Sequence, residues 1–229
     1  VDPEESYNYG ARGNFYRDYL EDTDKALADY NKGLEIDPED ASLYYEIGAT
    51  YLNLDPSESD LALTNFLKVV DLDPNYENVN NIIGWTYHYE LNEYEKAIEY
   101  YTKELEITPN AVHTYRGIAE IYAKNLGDNE KALVNYTKAI EIEPEDSYSY
   151  KLRGEFYRYY LEDNEKALAD FNMAIALDPD NPNLYDDRAD LFIKMEFYDK
   201  AIEEYIKYEV DSLWGAYANF KIGEIYFKN

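Results

Sequence analysis

The chain has 229 residues, with 49 acidic against 21 basic side chains and a formal net charge of −28 at neutral pH. That balance lacks the basic footprint that nucleic acid or an anionic membrane surface requires, while 45% hydrophobic and 17% aromatic residues set it apart from a disordered acidic chain. Without cysteine there is no disulfide, thiolate metal site or cysteine nucleophile, the redox compartment is left open, and no apolar run approaches the ~20 residues that span a bilayer.

In chain order, Val1-Asp2-Pro3 matches the later Ile36-Asp37-Pro38, so residues 1–5 read as the tail of a preceding unit. Six units follow, over 6–40, 41–76, 77–110, 111–146, 147–181 and 182–215, and 216–229 reads as a partial seventh or a terminal helix. A small residue recurs at Gly13, Gly48, Gly84, Ala119, Gly154, Ala189 and Gly223, at steps of 34–36 residues. An alanine follows at Ala26, Ala62, Ala97, Ala132, Ala167 and Ala201, and a proline closes each stretch at Pro3, Pro38, Pro74, Pro109, Pro144 and Pro179. A fixed period of this length means stacked copies of one supersecondary unit.

Ser147 to Asp178 shows what one unit is. Tyr150, Gly154 and Tyr157 share one helical face, Ala167, Phe171, Ala174 and Ile175 another, and Leu161-Glu162-Asp163-Asn164 breaks between them. The spacing predicts a first helix, a short turn and a second helix. Gly154 and Ala167 let the two helices approach closely, and Asp178-Pro179 ends the unit because proline disfavours α conformation in the residue before it.

This pattern of a small residue, a tyrosine three positions later, Ala-x-x-x-aromatic and a closing proline resembles the tetratricopeptide repeat. The resemblance covers nearly the whole chain. It implies an all-α fold, a right-handed superhelical solenoid of helix–turn–helix units, acting as a non-enzymatic scaffold for protein–protein interaction. Most units are one residue longer than the family's 34, and the extra residue is assigned to the turn, as in Leu20-Glu21-Asp22-Thr23. Ser57-Glu58-Ser59 lengthens the second unit further. Glu104 and Tyr208 depart from the pattern, being bulky where a small residue is expected. Both ends read as cut within a longer array. The rival expectation is a rod that self-assembles through Phe220, Tyr226 and Phe227 at its C-terminal edge.

The units also test one another. The residue before the small one is Arg12, Ile47, Ile83, Ile118, Arg153 and Arg188; the residue three after the alanine is Asp29, Asn65, Tyr100, Asn135, Asp170 and Glu204. An acid stands opposite each arginine and nowhere else. Three ion pairs between the helices of a unit are therefore expected, with a structural role, since a guanidinium accepts a carboxylate in a bidentate way.

The resemblance implies that ligands lie on the concave wall built by the first helices, at positions six and three before the small residue and one, four and five after it. Seven such positions are basic: Arg17, Arg116, Lys124, Lys151, Arg158, Lys194 and Lys228. Six are acidic: Asp18, Glu120, Glu155, Asp186, Asp190 and Glu224. The wall thus carries about +1 in a chain of −28. Its second and third units contribute Tyr45, Asn81, Trp85, His88 and Tyr89 and no charge; its fourth and fifth contribute Arg116, Lys124, Lys151 and Arg158. These residues are the candidate partner-binding set, since aromatic rings and arginine dominate interface energies. The expected partner is a protein or peptide with an apolar or aromatic part and an acidic part. Two known sub-types do not carry over: Gly10 and Glu46 interrupt the carboxylate clamp of the chaperone-tail binders, and Ala11, Glu46, Ile82, Gly117, Leu152 and Asp187 replace the asparagine ladder of the sugar-transferase arrays.

Catalytic chemistry has no footing in the sequence. His88 and His113 are the two histidines, expected about 15 Å apart from the helical rise. No phosphate loop, nucleophile motif, dinucleotide fingerprint or calcium loop occurs. Neither a cofactor nor a metal is expected, and an enzymatic role would belong to a domain outside this chain that the array docks or regulates.

Overall fold

Proline punctuation and apolar periodicity produce helices throughout the described residues, which are 3–54, 58–207 and 212–228 of the computed structural model. The chain divides into two units, Val1–Thr114 and Tyr115–Asn229. In the first, α1 (Pro3–Leu20) packs on α2 (Thr23–Ile36), α3 (Ala41–Leu54) on α4 (Ser59–Leu72), and α5 (Val79–Trp85) on α6 (Tyr94–Ile107). A π-helical turn over Thr86–Glu90 extends α5. α7 (Val112–Glu120) crosses the division and continues as a π-helical turn, Ile121–Leu126, against which α8 (Asn129–Ile142) returns. In the second unit α9 (Ser147–Tyr159) packs on α10 (Asn164–Leu177), α11 (Pro182–Lys194) on α12 (Tyr198–Ile206), and α13 (Ser212–Lys228) on α12. Val1, Asp2, Ser57 and Tyr208, on which the sequence raised expectations, fall outside the described residues, as does the Lys228 side chain.

The second helices stop where proline requires it. Asp37 and Asp73, each just before a proline, leave the helix for extended backbone at φ −125° and −138°. They still close the last turn by donating their N–H to Gly33 and Val69. The following helices restart on caps: Asp40 accepts the N–H of Ser42 and Leu43, and Asp146 those of Tyr148 and Ser149.

The extra residue does lie in the turn between the paired helices. In four pairs the turn closes by a bond spanning six residues: Asp22 to Tyr16, Glu93 to Tyr87, Asp128 to Tyr122 and Asp163 to Tyr157. In the shorter α11–α12 pair the bond from Phe197 to Phe192 spans five. Left-handed residues reverse the chain at these points, Glu21 at φ 51° and Glu162 at 52° among them. Asp22, Asp128 and Asp163 then cap the next helix.

Packing corrects one expectation. The small residue of the first helix makes room for an aromatic ring, not for a backbone. A methyl group added at Gly84 would stand 2.6 Å from the Tyr101 ring, and one at Gly154 would stand 2.9 Å from that of Phe171. That ring sits four residues after the recurring alanine, on the helical face the alanine begins. Tyr30, Phe66 and Phe171 are fully buried there, each worth about 1.5–3 kcal/mol of transfer free energy. All three expected ion pairs form: Arg12 with Asp29 at 2.5 and 2.7 Å, Arg153 with Asp170 at 2.8 Å twice, and Arg188 with Glu204 at 2.8 Å. On α13, Ala218 and Ile225 are buried while Phe220, Tyr226 and Phe227 are exposed.

Candidate functional site

Within Val1–Thr114 the candidate wall is built by α3, α5 and the π-helical turn. Tyr45 of α3 is half-buried, stacks on Tyr76 at 5.4 Å and meets the Phe66 ring edge-on at 5.8 Å. Burial pushes both the Tyr45 and Tyr76 phenols above their ordinary range. Asn81 accepts the Thr114 hydroxyl at 3.1 Å. Trp85 and Tyr89 are exposed, with ring centroids 5.4 Å apart.

Two recesses adjoin these side chains. A slot of about 320 Å³ is lined by Ala49, Leu52, Asn53, Phe66, Asn81, Ile82 and Trp85. A wider cleft of about 890 Å³ is lined by Tyr45, Asp73, Asn75, Tyr76, Glu77, Asn78, Asn81, Glu104, Thr108 and His113. Asn81 belongs to both.

His88 is a correction. It is 5% exposed, stacked on Tyr89 at 3.9 Å and edge-on to Tyr94, and does not present a ring to the wall. The position four after the small residue is buried in three successive repeats, at His88, Ala123 and Arg158. For Arg158 the cover is α11, since its guanidinium donates to the Asp187 carbonyl at 3.3 Å and pairs with Asp190 at 3.5 Å. His88 meets α6 and Arg158 meets α11, which single-helix spacing cannot reveal.

Within Tyr115–Asn229 none of the basic candidates stands alone. Arg116 pairs with Asp146 at 2.7 Å and lies over the Tyr148 ring at 5.0 Å. Lys124 pairs with Glu120 at 2.6 Å one turn away. Lys151 bridges Glu155 at 2.5 Å and Asp187 at 3.4 Å. Burial pushes the Asp187 carboxyl up to about 6, partly offset by the Lys151 charge. The acids that neutralise Arg116 and Lys151 include a helix cap and a residue facing between helices, neither of which spacing along the wall would count. The expected basic patch is therefore an array of closed ion pairs.

The family comparison follows the same helices. The model for "TPR repeat" matches residues 19–55, and that for "Tetratricopeptide repeat" matches 78–111 and 112–146. The chain carries tetratricopeptide repeats. No curated protein matches it in sequence. Among solved structures, the repeats resemble PilW, a widely conserved type IV pilus biogenesis factor, at a TM-score of 0.73 and 16% identity, covering 90% of this chain and 93% of that one. They resemble a tetratricopeptide repeat protein from Parabacteroides merdae at 0.66 and 19%, covering 98% and 86%. They also resemble YrrB, described as a TPR protein with an unusual peptide-binding site, at 0.61 and 25%, covering 79% and 90%.

Proposed function

We propose that the chain is a non-enzymatic docking protein that holds an extended segment of a partner protein against the first helices of its repeats, with residues 41–90 as the main contact. The observation that carries this reading is the slot beside Trp85. Leu52, Phe66, Ile82 and Trp85 give it apolar walls, and Asn53 and Asn81 add amides that can bond a ligand backbone. Such a slot suits one apolar side chain of a bound segment, and an exposed tryptophan beside it has the chemistry of an interface anchor. The peptide-binding site in the description of YrrB lends support on a similar fold.

An acidic part of the partner, expected from Arg116, Lys124, Lys151 and Arg158, is the weaker half of the reading. An incoming carboxylate would have to compete with Asp146, Glu120, Glu155, Asp187 or Asp190.

The test is selection of displayed peptides on the intact chain, followed by affinity measurement against Trp85→Ala. Peptides sharing an apolar residue, and weakened at least about tenfold by the substitution, are the expected result. A failure to enrich any peptide, or binding indifferent to Trp85→Ala, would reject the slot as the contact.

A further inference from the structure

Glu104 departs from its repeats. The residue seven after the recurring alanine is Gly33, Val69, Ala139 and Ala174 in four other units and Tyr208 in the sixth, none of them charged, and glutamate here. In α6 this carboxylate is 2% exposed, and its Oε2 has no hydrogen-bond partner. A buried carboxylate oxygen left unbonded costs free energy unless something supplies a donor. Glu104 lines the wider cleft beside the Trp85 slot, and so does Asn78, whose backbone is left-handed at φ 64° and whose Oδ1 also has no partner.

The cleft is anionic. Asp73, Glu77 and Glu104 line it, and no lysine or arginine does. Among the described residues no group of three or more histidine, cysteine or acidic side chains is placed to hold a metal ion, so the cation that suits this chemistry is organic. A guanidinium offers five donors in a planar fork and no acceptor, the complement of unpaired carboxylate and amide oxygens. The stacked Tyr45 and Tyr76 rings add π faces of the kind that attract cations. A net charge of −28 draws a basic segment toward the molecule.

We propose that this cleft receives an arginine side chain of the docked segment, anchored on Glu104 and placed next to the apolar residue in the Trp85 slot. Asn81, which lines both recesses, fixes the two as neighbours. This rests on the docking reading above and replaces the expected acidic part of the partner with a basic one.

The experiment is amide and indole NMR of the intact labelled chain titrated with N-acetyl-arginine methylamide, with its neutral isostere N-acetyl-citrulline methylamide, and with N-acetyl-leucine methylamide. The arginine probe should shift the amides of Asn78, Asn81, Glu104 and Thr108, and the citrulline probe should bind about tenfold more weakly. Glu104→Gln should remove that difference while leaving the leucine probe's effect on the Trp85 indole unchanged. Equal affinity for arginine and citrulline on the parent chain, a comparison needing no variant, would overturn the proposal. So would a Glu104→Gln chain that still discriminates between them. If leucine shifts the Trp85 indole and arginine shifts nothing, the cation site falls and the docking reading stands; silence from all three probes brings down both.

Discussion

Val1–Thr114 and Tyr115–Asn229 are built from the same repeat and both close most of their cations on acids, Arg17 on Asp18 and Glu46 in the first among them, yet they differ at two repeat positions. In the second unit ionic groups close on one another: Arg153 on Asp170, Arg188 on Glu204, Arg116 on Asp146, Lys151 on Glu155 and Asp187. In the first, Arg12 reaches Asp29 from a side chain that is 54% exposed, and Glu104 is buried without a partner for Oε2. A repeat sequence sets where a charge sits on its helix, but burial and the neighbouring helix decide whether that charge stabilises the fold or stays open for a ligand.

The largest effect that sharpens this contrast is expected at Arg153. Its side chain is 17% exposed and that of Asp170 is 8% exposed. Arg153→Leu strands the buried carboxylate and should lower stability by about 3 kcal/mol, the low end for a broken buried pair because part of the arginine remains in water. Adding Asp170→Asn should recover much of the loss in denaturant unfolding. Additive losses would mean that the two side chains act independently.

Asp187 should give a smaller change of opposite sign. Its carboxyl is lifted from 3.8 to about 6, chiefly by burial. The native state therefore binds its proton more tightly than the unfolded state does, and this group's contribution to stability falls as pH rises from about 4 to 6. The whole shift corresponds to about 3 kcal/mol. With part of the carboxyl solvated and Lys151 losing a partner, Asp187→Asn should stabilise the chain by about 1 kcal/mol at pH 7. The gain should vanish at pH 4, and a gain that persists there would point to a cause other than ionisation.

The smallest effect belongs to Arg12→Leu. It removes a bidentate pair of the same design as Arg153–Asp170 and leaves an equally buried carboxylate, Asp29 at 9% exposure, but the arginine that goes is solvent-exposed, so water can take its place, and the loss should stay below about 1 kcal/mol. A loss as large as that from Arg153→Leu would erase the distinction between the two units.

Much of this molecule is legible in its amino acids. The repeat period, the paired helices, their proline ends and the extra residue in the turn all follow from local rules of helix geometry and backbone sterics, which act over a few residues and leave a periodic trace. The three arginine–acid pairs were equally readable, because six units set side by side expose which positions change together. The wall itself was legible only in part. Tyr45, Asn81 and Trp85 line the two recesses of the first unit, whereas His88 meets Tyr94 of α6 and Arg158 turns toward α11. Arg116 and Lys151 of the second unit also meet Asp146 of a cap and Asp187 of an adjoining helix.

What the sequence determined alone is what depends on residues near one another in the chain: helix, turn, cap and repeat. What only the tertiary structure decided is which oxygens and cations find partners across helices. Glu104 reads in the sequence as a misfit in packing; its place in an anionic cleft depends on Asp73, Glu77 and Asn78, brought beside it by the stacking of helix pairs and by no spacing along any one helix.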